Sequence, residues 1–290
     1  MKKVKILIPI YNDWDSLSKL LEEINSEANK IQEELSIIII NDCSSETKLI
    51  EVKNFDKINS VKIINMKENR GHGRCIATGL KYIYENEEFD YIIPMDGDGE
   101  DRPQEIKDFI QNINYTPEKT IVGERVKRSE SLFFRFCYSA HKVLTYFFTG
   151  QSIKFGNFTC LTKLTVEKMV NEKATWSSFS GALAKVEKEK SMIPSTRGSR
   201  YFEPSKMSLI NLVKHSLSII AVFKAAVLIR SIFFLIVYFF LIFSNISIIT
   251  IVPILFIVLM NFLTFKLSKR ESLSDFNNAL LNISDIKYLK

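Results

Sequence analysis

From Ser231 to Phe265 the chain runs for 35 residues without a charged side chain. One membrane span needs about 20 apolar residues, so the run is too long for one helix and suits two. Ser244-Asn245 interrupts it near the middle. The reading is two transmembrane helices, Ala225–Phe243 and Ile246–Phe265, within residues 225–266. Arg230 is expected to snorkel from the first, and Pro253 to kink the second where neighbouring helices tolerate it. Lys214 and Lys224 precede the pair, Lys266, Lys269 and Arg270 follow it, and the connector has neither Lys nor Arg. Positive residues on one side place both flanking parts in the cytoplasm. The chain is therefore expected to be an integral, multi-pass protein of a bacterial plasma membrane, with the lipid bilayer as a partner. A helical hairpin buried in a soluble protein is the competing reading. Residues 206–224 read as a juxtamembrane amphipathic helix. Residues 267–290 read as a cytoplasmic tail, with a short helix suggested by Phe276, Leu280, Leu281 and Ile283.

Upstream of the run the sequence alternates. Val4–Ile10, Ser36–Asn41, Val61–Ile64, Tyr91–Met95 and Thr120–Val122 read as strands. The four consecutive isoleucines of the second suit a strand buried on both faces. Between them, Asp15–Ala28 carries Leu17, Leu20, Leu21 and Ile24 at helical spacing. Gly73–Tyr84 is helix-like, and Pro103–Ile110 opens with a proline suited to a first turn. The βαβα order predicts an α/β fold with a mostly parallel, doubly wound sheet. Its ligands belong at the carboxyl ends of the strands. Residues 126–205 are less regular. There Leu132–Phe148 reads as an aromatic, amphipathic helix, either on the membrane surface or in a core. Val166–Val186 reads as further helix and Met192–Lys206 as a loop.

Composition excludes little. Hydrophobic residues make up 46% and mean hydropathy is +0.04, so a soluble core is attainable beside the apolar run. The net charge of +6 allows anionic lipid or phosphorylated partners. No long basic run marks a nucleic-acid arm, and no nucleic-acid partner is expected. Cys43, Cys75, Cys137 and Cys160 form no CxxC pair and read as reduced thiols.

Asp96-Gly97-Asp98 follows the strand at Tyr91–Met95 directly. Two carboxylates one residue apart at a strand end can face one ligand and suit Mg²⁺ or Mn²⁺. Glu100 and Asp101 add negative charge that a cation would relieve. The competing reading is an acidic surface turn. Other polar groups stand at strand ends: Ile8-Pro9-Ile10-Tyr11-Asn12, Ile40-Asn41-Asp42-Cys43-Ser44-Ser45, Asn69-Arg70-Gly71-His72-Gly73, and Gly123-Glu124-Arg125 closing the fifth strand.

In this order and spacing the chain resembles the family-2 glycosyltransferases of the GT-A fold, well over residues 4–125 and more loosely to about 206. The resemblance implies one catalytic domain over residues 1–205. It implies that Pro9, Tyr11, Asp13, Asp42, Gly71, Asp96 and Gly97 border a nucleotide-sugar. Asp96 and Asp98 would bind Mg²⁺ or Mn²⁺, with Glu100 as a third ligand. His72 and Arg74 could reach phosphate or lie on the surface. Glycines 71 and 73 would let the backbone approach the nucleotide.

A family-2 domain followed by two spans is similar to the polyprenyl-phosphate glycosyltransferases. Asp96–Pro103 occupies the place of their acidic motif, DADLQDPP, with departures at Gly99, Glu100 and Arg102. Arg197-Gly198-Ser199-Arg200-Tyr201 and then Ser205-Lys206 resemble their basic loop, which holds acceptor phosphate. Catalysis would then fall to Asp96, Asp98, Arg125, Arg197 and Arg200. Trp176–Gly181 lacks the carboxylate base expected for a hydroxyl acceptor, and the QxxRW motif of processive synthases is absent. A phosphate acceptor is largely dianionic at pH 7 and needs no base. The expected reaction is inverting transfer of a sugar from a UDP- or GDP-sugar to a polyprenyl phosphate at the cytoplasmic face. The resemblance also allows a homo-oligomer packed through the membrane helices. Two alternatives stay open: a saccharide or glycolipid acceptor, with Glu187 or Glu203 as base, and a catalytically silent nucleotide-binding membrane scaffold.

Overall fold

The computed structural model describes residues 1–46, 48, 50, 55–127, 132–202 and 209–290. The chain opens with β1 (Lys3–Ile10), α1 (Trp14–Ala28), β2 (Glu34–Asn41), β3 (Ile58–Met66), α2 (His72–Asn86) and β4 (Tyr91–Pro94). It continues through α3 (Ile106–Tyr115), β5 (Thr120–Lys127), α4 (Leu132–Thr149), β6 (Phe155–Thr162), α5 (Lys163–Val170), α6 (Phe179–Val186) and β7 (Lys190–Thr196). Then follow α7 (Leu209–Ala221), α8 (Lys224–Ile242), α9 (Ile248–Ser268), α10 (Leu273–Asn277) and β8 (Ile283–Tyr288).

The isoleucine run Ile37–Ile40 lies in the middle of β2, and none of the four is more than 1% exposed. Pleating sends alternate side chains to opposite faces. Ile37 and Ile39 join one core layer with Ile6 and Ile8 of β1, while Ile38 and Ile40 join the other with Leu7. The first layer is closed by Leu17, Leu20, Leu21 and Ile24 of α1 and by Phe109 and Ile113 of α3. The second is closed by Ile76, Leu80 and Ile83 of α2, Val166 and Met169 of α5, and Leu183 of α6. The sheet order is β7-β5-β6-β4-β1-β2-β3-β8. β4, β1, β2 and β3 run parallel, as do β5 and β7, whereas β6 and β8 pair antiparallel to their neighbours.

The strand and helix sequence expected over the first 120 residues is present. Three expectations are corrected. Gly123–Arg125 does not close a strand but lies inside β5, which runs on to Lys127 alongside β7. Residues 190–196, mostly placed in a loop, form edge strand β7, and Phe155–Thr162 forms a strand where none was expected. The tail is no free cytoplasmic segment. After the five-residue α10, β8 pairs with β3 and extends the sheet. Phe276 of α10 is fully buried and stacks on Trp176, with ring centroids 5.8 Å apart.

Near the far end of β1, Glu87 at the end of α2 pairs with both Lys5 and Lys62. All three side chains are at most 16% exposed.

α8 and α9 are long and apolar enough to cross a membrane. Most of their surface is uncovered by protein: Ile229, Phe240 and Ile248 are 68%, 77% and 86% exposed. Ser247 caps α9 in a reciprocal box with Thr250. Where the helices meet, Asn261 Nδ2 donates to Ser231 Oγ at 2.8 Å and Tyr238 Oη to the Thr250 carbonyl at 3.1 Å. α4 packs on this pair: Phe148 is buried with Ile220, Val227, Ile257 and Met260, and Phe147 stacks on Phe234 at 4.0 Å. Arg230 Nε donates to the Phe147 carbonyl at 2.8 Å, so α4 holds this arginine.

Candidate active site

The carboxyl ends of β1, β2 and β4 converge, and short polar links set their loops. Asn12 Oδ1 accepts from Ser45 N–H at 2.9 Å, and Asn12 N–H donates to Ser44 Oγ at 2.9 Å, tying the ends of β1 and β2 together. Asp42 is 3% exposed, and its two oxygens accept the N–H groups of Arg70 and Gly71 at 2.7 and 2.8 Å. It thereby shapes the loop that opens α2. A Cβ at Gly71 or Gly73 would meet nothing within 4 Å, so the space above this loop is open. Tyr11 is 47% exposed at its mouth. Gly97 packs against the end of β1, where an added Cβ would stand 3.2 Å from the Pro9 carbonyl.

The acidic loop after β4 is internally braced. Asp96 N–H donates to Asp101 Oδ2 at 2.9 Å, and Glu100 N–H to Asp98 Oδ1 at 3.0 Å. Gly99 has a φ of +86°, a conformation side-chain-bearing residues avoid. Burial opposes ionisation of Asp96, but the adjacent His72 and the Arg197 and Arg125 charges outweigh it and hold the carboxyl well below the usual range. Burial, then the Asp96 charge, pushes the Asp98 and Asp101 carboxyls up.

The segment after β7 lies directly on this loop. Gly198 N–H donates to the Glu100 carbonyl at 2.8 Å and Tyr201 N–H to the Asp98 carbonyl at 3.0 Å. Arg197 pairs with Glu100. Arg200 bridges Asp98 and Asp13, the latter at 3.1 Å. The Tyr201 ring covers Gly99, where an added Cβ would overlap it. Arg125 lies over Gly156 in β6. Asp13, Asp96, Asp98, Glu100, Arg125, Arg197 and Arg200 thus gather around one place. Lys206 lies outside the described residues, as do Glu203 and Ser205.

Among the described residues no three His, Cys, Asp or Glu side chains stand together as a preformed metal cage, and Glu100 is engaged by a cation. Its partner is Arg197. Arg74 stacks over Trp176, 5.1 Å from the ring centroid. Asn157 of β6 went unnoticed in the sequence. Its Nδ2 lies 2.9 Å from His72 Nε2 and 3.3 Å from Asp96 Oδ1. An asparagine within an unforeseen strand carries no motif. The carboxylate oxygens at Asp96 and Asp98 are hard donors that fit a divalent cation. Cys75 and Cys160 are buried and Cys43 is exposed, all unpaired.

The chain is 28% identical over 227 residues to an undecaprenyl-phosphate 4-deoxy-4-formamido-L-arabinose transferase of Photorhabdus laumondii. The match covers 73% of the chain and 65% of that relative. Two solved structures share the fold. A mannosyltransferase of Pyrobaculum calidifontis, in complex with GDP-Man and Mn²⁺, has a TM-score of 0.53 at 12% identity over 98% of this chain and 76% of its own. The glucosyl-3-phosphoglycerate synthase of Mycobacterium tuberculosis, with Mn²⁺ and UDP-glucose, has a TM-score of 0.53 at 12% identity over 78% of this chain and 80% of its own. The fold is that of the GT-A glycosyltransferases. The sequence profile of Glycosyl transferase family 2 matches residues 5–175, more than half of the chain, and the chain belongs to that family.

Proposed function

We propose that the protein transfers a sugar from a nucleotide-sugar to a polyprenyl phosphate at the cytoplasmic face of a membrane, with inversion at the anomeric carbon. The observation that carries this reading is the docking of the 197–201 segment on the acidic loop, which sets two arginines beside the donor-side carboxylates. Arg197 Nε is buried and has no hydrogen-bond partner among the described residues. A phosphate oxygen would satisfy it, and guanidinium groups suit phosphate. Trp176–Gly181 supplies no carboxylate to deprotonate a hydroxyl, and a dianionic phosphate needs none. The relative is named for undecaprenyl phosphate, which points the same way.

In this reading Asp42 holds the 70–71 loop open for the nucleotide, and Tyr11, Asp13 and Gly97 border it. Asp96 and Asp98 would hold Mg²⁺ or Mn²⁺, which supplies positive charge against the leaving nucleoside diphosphate. Arg197 and Arg200 exchange their carboxylate partners for the acceptor phosphate and aim its oxygen at the anomeric carbon. Arg125 adds positive potential from the β6 side. The bare faces of α8 and α9 sit in the bilayer, which delivers the lipid, and Lys214, Lys224, Lys266, Lys269 and Arg270 keep both flanks cytoplasmic.

The test is a donor-by-acceptor assay on the detergent-solubilised chain, with UDP-, GDP- and dTDP-sugars against undecaprenyl phosphate, with Mn²⁺ or chelator. Metal-dependent formation of a glycosyl phospholipid is the expected result. Donor turnover only with saccharide or glycolipid acceptors would discard the lipid-phosphate acceptor and keep the donor site.

A further inference from the structure

We propose that Asp285 of β8 is a positioning residue for the donor nucleotide and acts on its site through Asn65 and Asn41. The proposal rests on the reading above, in which the end of β2 and the 70–71 loop border that nucleotide, and adds to them a segment that no motif marks. Asn41 closes β2 and stands opposite Asn65 of β3, which stands opposite Asp285 of β8. The three side chains form a ladder across three strands. Asn65 Nδ2 donates to Asp285 Oδ2 at 2.9 Å, and Asn41 Nδ2 donates to Asn65 Oδ1 at 2.8 Å. Asn41 Oδ1 in turn accepts from the Ser44 N–H at 3.1 Å. A carboxylate only accepts and a backbone N–H only donates. Between those two ends, the amides of Asn41 and Asn65 satisfy every link in one setting alone.

The ladder ends on strained backbone. Among the described residues only Asn12 and Cys43 carry a side chain at positive φ, +50° and +57°. Such conformations persist where the surroundings fix them, and they cluster at functional sites. Both residues lie in the loops that follow β1 and β2. Ser44 joins the two: its N–H lies on Asn41, and its Oγ accepts from the Asn12 N–H at 2.9 Å. The segment around β8 also grips the chain that leads into the 70–71 loop. Ser284 Oγ donates to the Asn65 carbonyl at 3.0 Å, and the Lys67 N–H donates to the Asn282 carbonyl at 2.7 Å. Asn282 Nδ2 donates to the Glu68 carbonyl at 3.2 Å, just before Arg70, whose N–H lies on Asp42. Cys43 Sγ reaches the Lys67 carbonyl at 3.3 Å and ties the two loops together. Asp285 stands two strands away from β2, so it works through Asn65 and Asn41 and not by touching the nucleotide.

The experiment is calorimetric titration of the full, detergent-solubilised chain with UDP, GDP and dTDP, each with Mn²⁺, beside steady-state kinetics with the nucleotide-sugar and undecaprenyl phosphate. Asp285→Ala is expected to raise the Kd of whichever nucleotide the wild type binds about two- to tenfold, the worth of one net hydrogen bond. The KM for the nucleotide-sugar rises with it, while kcat and the KM for the lipid keep their wild-type values. Asp285→Asn retains an acceptor for Asn65 Nδ2 and restores the wild-type Kd. Asn65→Ala breaks the ladder at its middle, and adding Asp285→Ala to it weakens binding no further. Tyr288→Ala is the control: Lys62 Nζ lies 5.2 Å from its ring centroid, in the same strand pair but away from the ladder. It loosens β8 and leaves the Kd unchanged. A wild-type Kd in both Asp285→Ala and Asn65→Ala overturns the proposal. So do equal losses in Asp285→Ala and Tyr288→Ala, or additive losses in the double variant. Asp285-dependent nucleotide binding by a chain that glycosylates no lipid sustains the proposal and discards only the polyprenyl-phosphate acceptor. A wild type that binds none of the three nucleotides overturns both the proposal and the donor-site reading.

Discussion

Replacing Gly99 with alanine should undock the 197–201 segment from the acidic loop. Two costs separate cleanly. The first is backbone: at φ +86° an L-residue loses about 1–2 kcal/mol, paid by the acidic loop whether or not anything covers it. The second is steric and falls on docking alone, because the new Cβ would overlap the Tyr201 ring. Overpacking of this kind costs about 1–3 kcal/mol, which is about 5- to 150-fold in the docking equilibrium. The reporters are the Gly198 and Tyr201 amides, which donate to the Glu100 and Asp98 carbonyls when the segment is docked. Hydrogen exchange read by mass spectrometry should quicken at both by that factor. Gly71→Ala is the control: its φ is +89° but its Cβ would meet nothing within 4 Å. It carries the backbone cost and should leave both amides unchanged. Wild-type exchange at Gly198 and Tyr201 in Gly99→Ala would refute the idea that ring contact governs docking.

Other outcomes follow from the same geometry. Arg200→Ala should raise the apparent KM for the lipid acceptor about tenfold or more, the worth of a charge-assisted hydrogen bond, and the KM for the nucleotide-sugar much less. Equal effects on both would remove Arg200 from the acceptor side. Glu87→Gln leaves Lys5 and Lys62 buried side by side without a counter-charge and should cost about 3–5 kcal/mol, read as a lowered urea midpoint. Burial opposes ionisation of Glu87, yet Lys62 and Lys5 hold its pKa below the ordinary 4.5. Its contribution is therefore full above pH 4.5 and fades as pH falls through the folded value, and the variant should show a flatter acid limb. Deleting residues 283–290 uncovers the edge of β3 and should produce aggregates on size exclusion in detergent; a monodisperse product would show that β8 is dispensable.

What the sequence made legible was what local pattern encodes. The apolar runs of β1 and β2 announce strands buried on both faces, and the uncharged stretch after Arg230 announces α8 and α9. The acidic loop stood out because Asp96, Gly97 and Asp98 follow a strand directly. What stayed hidden depends on distant partners. β7 contains Pro194 and β6 contains Gly156 and Asn157, residues that argue against strands, yet β7 is an edge strand where proline is tolerated. β6 takes its register from β4 and β5 on either side. β8 alternates too weakly to declare itself, and its pairing with β3 spans more than 200 residues. Asn157 belongs to this hidden class: only the sheet brings it to Asp96.

The return of the chain into the sheet has a mechanical consequence. A catalytic head on a single linker can swivel and drift from the surface that feeds it. Here the apolar hairpin leaves the domain after β7 and comes back through α10 and β8, locked by Phe276 beneath Trp176 and by Asp285 on Asn65 at 2.9 Å. Asn65 in turn accepts from Asn41, beside Asp42 at the carboxyl end of β2. Two moorings restrain tilt as well as distance, so a catalytic domain held this way keeps one fixed side toward the hairpin.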